Sequence, residues 1–191
     1  TSADFHIGLA DQHFDRVAEL DTSEVNAPRW DRQGQSEILD RVDAHGLMGA
    51  AVGNTDRWRR AEFPAANGHG NARSVAEVHS VIACDGTARG VTLLSPETVE
   101  RIFEVQTDGH DPVLGGPIRY GLGFGLRNDT TPISPNERAC FWGGWGGSLA
   151  VIDVDARMSV AYVMNRMSPD LLGDRRAGRI LMAAHAAHQA S

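Results

Sequence analysis

Phe141-Trp142-Gly143-Gly144-Trp145-Gly146-Gly147-Ser148, followed by Leu149-Ala150-Val151-Ile152-Asp153-Val154, decides the fold. The stretch 138–142 reads as a strand, and the glycines around Trp145 read as a turn. The apolar run 148–154 reads as the next strand. Asp155-Ala156-Arg157 is a tight connection to a third strand over 159–165, so 148–165 reads as an antiparallel hairpin. Upstream, 118–126 sets glycines between Tyr120, Leu122, Phe124 and Leu126, which reads as a strand with small residues on one face. Downstream, Ala177, Ile180, Leu181, Ala184 and His188 form one stripe of a helix over 174–188.

Further out the pattern turns helical. Ser95-Pro96-Glu97-Thr98 is a helix start: a serine cap, proline at the first helical position and an acid at the positive end of the dipole. Leu94 and Val99 are placed as a hydrophobic staple, and the helix is expected to run to about Gln106. Another helix is expected over 74–83, with Val75, Val78, His79 and Ile82 on one face. Between 58 and 71, Pro64 and Asn67-Gly68-His69-Gly70-Asn71 indicate a loop. Short helices are expected over 11–20 and 36–45, and 46–53 reads as strand or loop. Strands in series with flanking helices indicate an α+β fold.

The chain has 191 residues, enough to bury the core of one domain. No run approaches the ~18 apolar residues of a membrane span. The opening Thr1-Ser2-Ala3-Asp4-Phe5-His6 lacks the basic cluster and apolar core of a signal peptide. A formal charge of −7 argues against a nucleic-acid partner, whose phosphates demand a basic surface. Cys84 and Cys140 form no CxxC motif and read as two buried free thiols. All 18 basic residues are arginine. With no lysine, no lysine base, Schiff base or P-loop can be completed within this chain.

The order of several blocks is similar to one group of proteins. Pro64-Ala65-Ala66-Asn67-Gly68-His69-Gly70-Asn71-Ala72-Arg73-Ser74 comes first, then Leu93-Leu94-Ser95-Pro96-Glu97-Thr98-Val99. Tyr120-Gly121-Leu122-Gly123-Phe124-Gly125, the stretch 141–148, and Tyr162-Val163-Met164-Asn165-Arg166-Met167 follow in register. Together with Asp4-Phe5-His6-Ile7-Gly8-Leu9 they resemble the C-terminal portion of serine hydrolases of the β-lactamase and penicillin-binding-protein superfamily, closest to the family VIII carboxylesterases. The resemblance implies a partial β-lactamase/transpeptidase-like domain over 1–191, with an antiparallel sheet, flanking helices and a C-terminal helix.

The same resemblance implies a serine acyl-enzyme mechanism and a small-molecule ester substrate, without metal or cofactor. The family's Ser-x-x-Lys motif is missing here, and its tyrosine motif is not visible at Tyr120 or Tyr162. Both motifs belong upstream of Thr1, so the chain is expected to be inactive alone. The third motif is present as Trp142-Gly143-Gly144, expected to bind substrate. The backbone N–H of Trp145 is expected to be one donor of an oxyanion hole. Trp142 replaces the cationic form of the motif with a neutral donor and an apolar face, which favours apolar esters over penicillins; the alternative for both tryptophans is packing. Tyr120 and Tyr162 read as packing residues. Without the N-terminal strands, an edge near 138–165 is expected to pair with a second chain or an N-terminal fragment. Nothing fixes the compartment, the cytoplasm being favoured.

Other constellations yield to plainer readings. Gly146-Gly147-Ser148-Leu149-Ala150 resembles a nucleophile elbow, but a strand follows the serine where the elbow needs a helix. His185 and His188 share a helix face without further metal ligands. His79 reads as a half-buried core residue, and His69 as a loop residue placed to line a cleft. Asp153 and Asp155 read as turn residues. Two alternatives to the enzyme segment are a non-catalytic ligand-binding or interaction module of the same fold, and a self-contained hydrolase built on Ser148.

Overall fold

The computed structural model describes residues 3–25 and 49–190 together with Glu37 and Arg41. The helix expected over 36–45 otherwise lies outside the described residues.

The C-terminal half is a meander. Strands β5 (Thr107–Asp111), β6 (Gly116–Tyr120), β7 (Gly125–Leu126), β8 (Ala139–Gly143), β9 (Leu149–Asp153) and β10 (Met158–Tyr162) form one six-stranded sheet in the order β10-β9-β8-β7-β6-β5. Every pairing in it is antiparallel. In β8, Ala139 and Phe141 face one side and Cys140 the other, as the two-residue period of a strand dictates.

Each side is covered by a helix. Ala139, Phe141 and Val151 pack with Ile133 and with Leu181 of helix α4 (Arg175–Gln189). Cys140, Ile152 and Leu126 pack with Ile102 and with Ala83 of helix α2 (Ala72–Ala83). The expected α+β architecture, helices on an antiparallel sheet, is therefore what the chain adopts.

Caps begin the helices where the residue types call for them. The Asn71 side chain accepts from the Ser74 N–H at 2.9 Å, and Asp174 accepts from the amides of Arg176 and Ala177 at 2.7 and 3.1 Å. Ser95 accepts from the Thr98 N–H at 3.2 Å and starts α3 (Pro96–Arg101). That helix stops short of Gln106, because the Gln106 N–H is already bonded to the Tyr120 carbonyl at 2.7 Å on the approach to the sheet. Helix faces differ in detail from expectation. Val78 and Ile180 are exposed, while Val81 is buried beside Ala83 and Leu181 beside Ala177.

Two stretches read as continuous are divided. Residues 118–126 are not one strand but β6 and β7, joined by a turn that the Gly121 N–H closes on the Phe124 carbonyl at 2.9 Å. Gly123 has φ +81°, and a Cβ on Gly121 would lie 1.9 Å from the Ile102 carbonyl oxygen, so glycine is required. Residues 58–71 are only partly a loop. They start within α1 (Asp56–Arg60) and end with β2 (Gly68–Gly70), which pairs antiparallel with β1 (Phe5–Ile7). The Phe5 ring lies over both glycines of β2, and a Cβ on either would approach it within 2.6 Å. The glycines that suggested a turn are thus a strand under an aromatic ring. Two further short strands, β3 (Thr87–Ala88) and β4 (Val91–Thr92), form a separate ribbon. Residues 11–20 contain a 3-10 helix over Asp11–Arg16, and another spans Ala50–Asn54.

Candidate active site

β8 is paired along its whole length by β9 but only in part by β7. Leu126 lies opposite Cys140 and Gly125 opposite Phe141, where β7 ends. From Trp142 onward the edge of β8 that faces away from β9 has no strand against it among the described residues. A substrate can lie along such an edge and use its backbone groups. Trp142 itself is 40% exposed. Its indole meets the Tyr120 ring at 5.9 Å between centroids, tilted by 42°.

The turn that follows is held from several directions. The Gly144 N–H donates to the Ser148 carbonyl at 2.9 Å, and the Gly147 N–H to the Gly144 carbonyl at 3.1 Å. The Gly146 N–H donates to the Asp170 carbonyl, and its own carbonyl accepts from the Ser168 N–H, each at 3.0 Å. Gly146 and Gly147 have φ +106° and +108°, which explains glycine at both. Among the described residues, the Trp145 N–H alone of the turn amides 144–147 finds no acceptor. Its indole Nε1 is buried and also lacks a partner among the described residues.

The glycines differ in what they permit. A Cβ on Gly143 would lie 2.7 Å from the backbone of Leu172, so this glycine is explained by the loop that packs on it. At Gly144 the nearest atom to an added Cβ is the Ser148 Cβ at 4.0 Å. On the Phe141 face of the sheet, opposite to Trp142, an open pocket of about 340 Å³ has a mixed lining that includes Leu114, Ile118, Thr131, Phe141, Asp170 and Leu172.

Asp174 and Arg176, at the start of α4, brace the turn. The Asp174 side chain is only 4% exposed and accepts from Arg176 Nε at 2.8 Å. Arg176 donates to the carbonyls of Arg166 and Gly146. Burial works against the Asp174 carboxylate, but the hydrogen bonds from Arg176 and from the Ala177 and Arg176 amides outweigh it and hold its pKa below the ordinary aspartate range. In the order of residues only an aspartate at a helix start hints at this arrangement.

The remaining sequence candidates separate from this turn. Ser148 enters β9 directly, so the strand–serine–helix geometry of an elbow is not formed. His69 lies in β2 opposite His6, with Nδ1 against the Asn67 carbonyl at 2.8 Å. Burial lowers its pKa. His79 is half-buried and meets the Phe124 ring edge-on. Asp153 is fully buried and accepts from Ser134, Asn136 and the Ala156 N–H, and so fixes the β9–β10 turn. Asp155 pairs with Arg138. Both thiols are free; Cys140 is buried, while Cys84 is only partly so. Burial, then Asp153, pushes the Cys140 thiol up to about 12, which removes it from nucleophilic chemistry. Among the described residues no group of three or more His, Cys, Asp or Glu is arranged to hold a metal ion, and no helix is long and apolar enough to cross a membrane.

The antiparallel sheet between two helices is part of a β-lactamase/transpeptidase-like fold. The chain belongs to the β-lactamase family, whose family model matches residues 2–185. Over 119 residues it is 31% identical to the esterase/β-lactamase LipL of Mycobacterium tuberculosis (strain ATCC 25618 / H37Rv), a match that covers 62% of this chain and 27% of that protein. A crystal structure of a family VIII carboxylesterase superposes with a TM-score of 0.83 at 34% identity, covering 96% of this chain and 47% of that one. A penicillin-binding-protein homologue from Caulobacter crescentus gives 0.79 at 32% identity, over 96% and 48% of the two chains. The chain thus spans about half the length of the solved structures it matches and less of LipL.

Proposed function

We propose that this chain is the C-terminal segment of a carboxylesterase-like serine hydrolase, and that residues 1–191 are one portion of its β-lactamase-like domain. The observation that carries this is the open edge of β8 from Trp142 onward, followed by the unsatisfied Trp145 N–H. In this reading a serine supplied outside this chain attacks the ester carbonyl. Negative charge gathers on the carbonyl oxygen, and the Trp145 N–H and the nucleophile's own N–H stabilise it. The alcohol then leaves, and water releases the acid from the acyl-enzyme. Trp142 forms an apolar wall, and Gly144 lets the substrate approach the strand.

The nucleophile and its base enter with the remainder of the fold. Among the described residues β10 and β5 are the two outermost strands of the sheet; within 138–165 β8 and β9 are internal, so β10 is the edge there on which an N-terminal strand would pair. A second chain that supplies such a strand would serve equally.

A fluorophosphonate probe tests where the nucleophile is. Intact-mass spectrometry is expected to find this chain unmodified, Ser148 included, and the label on the complementing N-terminal portion. A label on Ser148 would contradict the reading.

A further inference from the structure

Tyr120 and Trp142 stand on β6 and β8, which are separated in the sheet by β7. Their rings nevertheless approach to 5.9 Å between centroids at the end of β7, where Gly125 lies opposite Tyr120 on one side and Phe141 on the other. The Tyr120 ring is not free to swing. Its hydroxyl donates to Asp111 Oδ2 at 2.8 Å. Asp111 is fixed in turn, since its Oδ1 accepts from the amides of Val113 and Leu114 at 2.8 and 2.7 Å and closes the β5–β6 turn. The chain of contacts runs from a hairpin turn through a carboxylate and a phenol to an indole at the open edge of β8.

Building on the reading of Trp142 as a cleft wall, we propose that Tyr120 is a positioning residue: held by Asp111, it fixes the Trp142 indole in one orientation and so sets the size of apolar ester group that the site accepts. A tyrosine is suited to this task because one end packs and the other is tethered. Burial, then the Asp111 carboxylate, raises the pKa of the phenol, which stays a neutral donor across the ordinary pH range. Phenylalanine would give the same ring contact without the tether. Leucine would remove both.

The test reads the indole first and hydrolysis second. In this chain, acrylamide quenching of Trp142, isolated by subtracting the signal of Trp142→Phe, is expected to rise in Tyr120→Leu and to a smaller extent in Tyr120→Phe. In the complemented enzyme, Tyr120→Leu is expected to raise KM for p-nitrophenyl butyrate about three- to ten-fold, the span of one aromatic contact, to leave kcat near its original value and to broaden the preference over acyl chain length. Unchanged quenching in Tyr120→Leu overturns the positioning, whatever hydrolysis shows. Raised quenching with KM and chain-length preference unchanged leaves the indole positioned but overturns its place in the cleft. If Tyr120→Leu does not fold, Tyr120→Phe decides: a quenching constant equal to that of the unsubstituted chain overturns the tether.

Discussion

The guanidinium of Arg176 donates through Nη2 to the Gly146 carbonyl at 3.1 Å, one residue beyond the Trp145 amide proposed as an oxyanion-hole donor. Nη1 reaches the Arg166 carbonyl at 2.9 Å, and the carboxylate of Asp174 holds the guanidinium from the other side. The first turn of α4 thereby fixes the turn that carries Trp145. Arg176→Ala is expected to lower kcat of the complemented enzyme about 10- to 100-fold through misplacement of that amide. Arg176→Lys should not restore it, since an ammonium cannot reach two carbonyls and a carboxylate as a planar fork does. Steady-state kinetics of the two variants check this.

Acid should loosen the same brace. The pKa of Asp174 lies below its ordinary value, so its folded-state contribution is complete above the unfolded value of about 3.9 and is lost as pH falls through the lower folded value. Thermal denaturation between pH 7 and pH 2 should show stability falling below about pH 4. The fall should be shallower in Asp174→Asn, which has no carboxylate to protonate.

The glycines of the third-motif turn should divide by what surrounds them. Gly147→Ala places a Cβ 2.1 Å from Asp174 Oδ2 at φ +108°, and Gly143→Ala places one against the Leu172 backbone. Each is expected to cost about 2–3 kcal/mol or more, read by urea denaturation. Gly144→Ala meets nothing closer than 4.0 Å and should leave stability within about 0.5 kcal/mol. It should nevertheless reduce kcat/KM of the complemented enzyme, because the added methyl stands where the substrate approaches.

Trp142→Ala should raise KM for apolar esters about 10-fold or more, in proportion to the apolar surface withdrawn, and change kcat little. Equal KM values for acetate and octanoate esters in the unsubstituted enzyme would argue against an apolar wall. Ser148→Ala should leave hydrolysis unchanged, because its serine enters β9 and its carbonyl is occupied by Gly144.

Period and punctuation made β8, β9 and β10 legible: alternation around Phe141, an apolar run to Val154 and an aspartate-containing turn are local signals. The cap at Ser95 was legible for the same reason. What escaped depends on contacts distant in sequence. Gly68 and Gly70 look like turn residues until Phe5, more than sixty positions earlier, lies over them. The break after Tyr120 is set by the Ile102 carbonyl beside Gly121. Within the candidate site, the glycine motif marked the strand, but nothing in the order of residues showed Arg176 reaching Gly146 or Asp111 tethering Tyr120.

Whether the nucleophile lies outside this chain is decided by p-nitrophenyl butyrate hydrolysis, measured on this chain alone and after addition of an N-terminal portion that carries a Ser-x-x-Lys motif. No hydrolysis above the uncatalysed rate is expected from the chain alone, and esterase activity is expected from the mixture. Hydrolysis by the chain alone would place the nucleophile among these 191 residues and overturn the assignment of the chain as a partner segment.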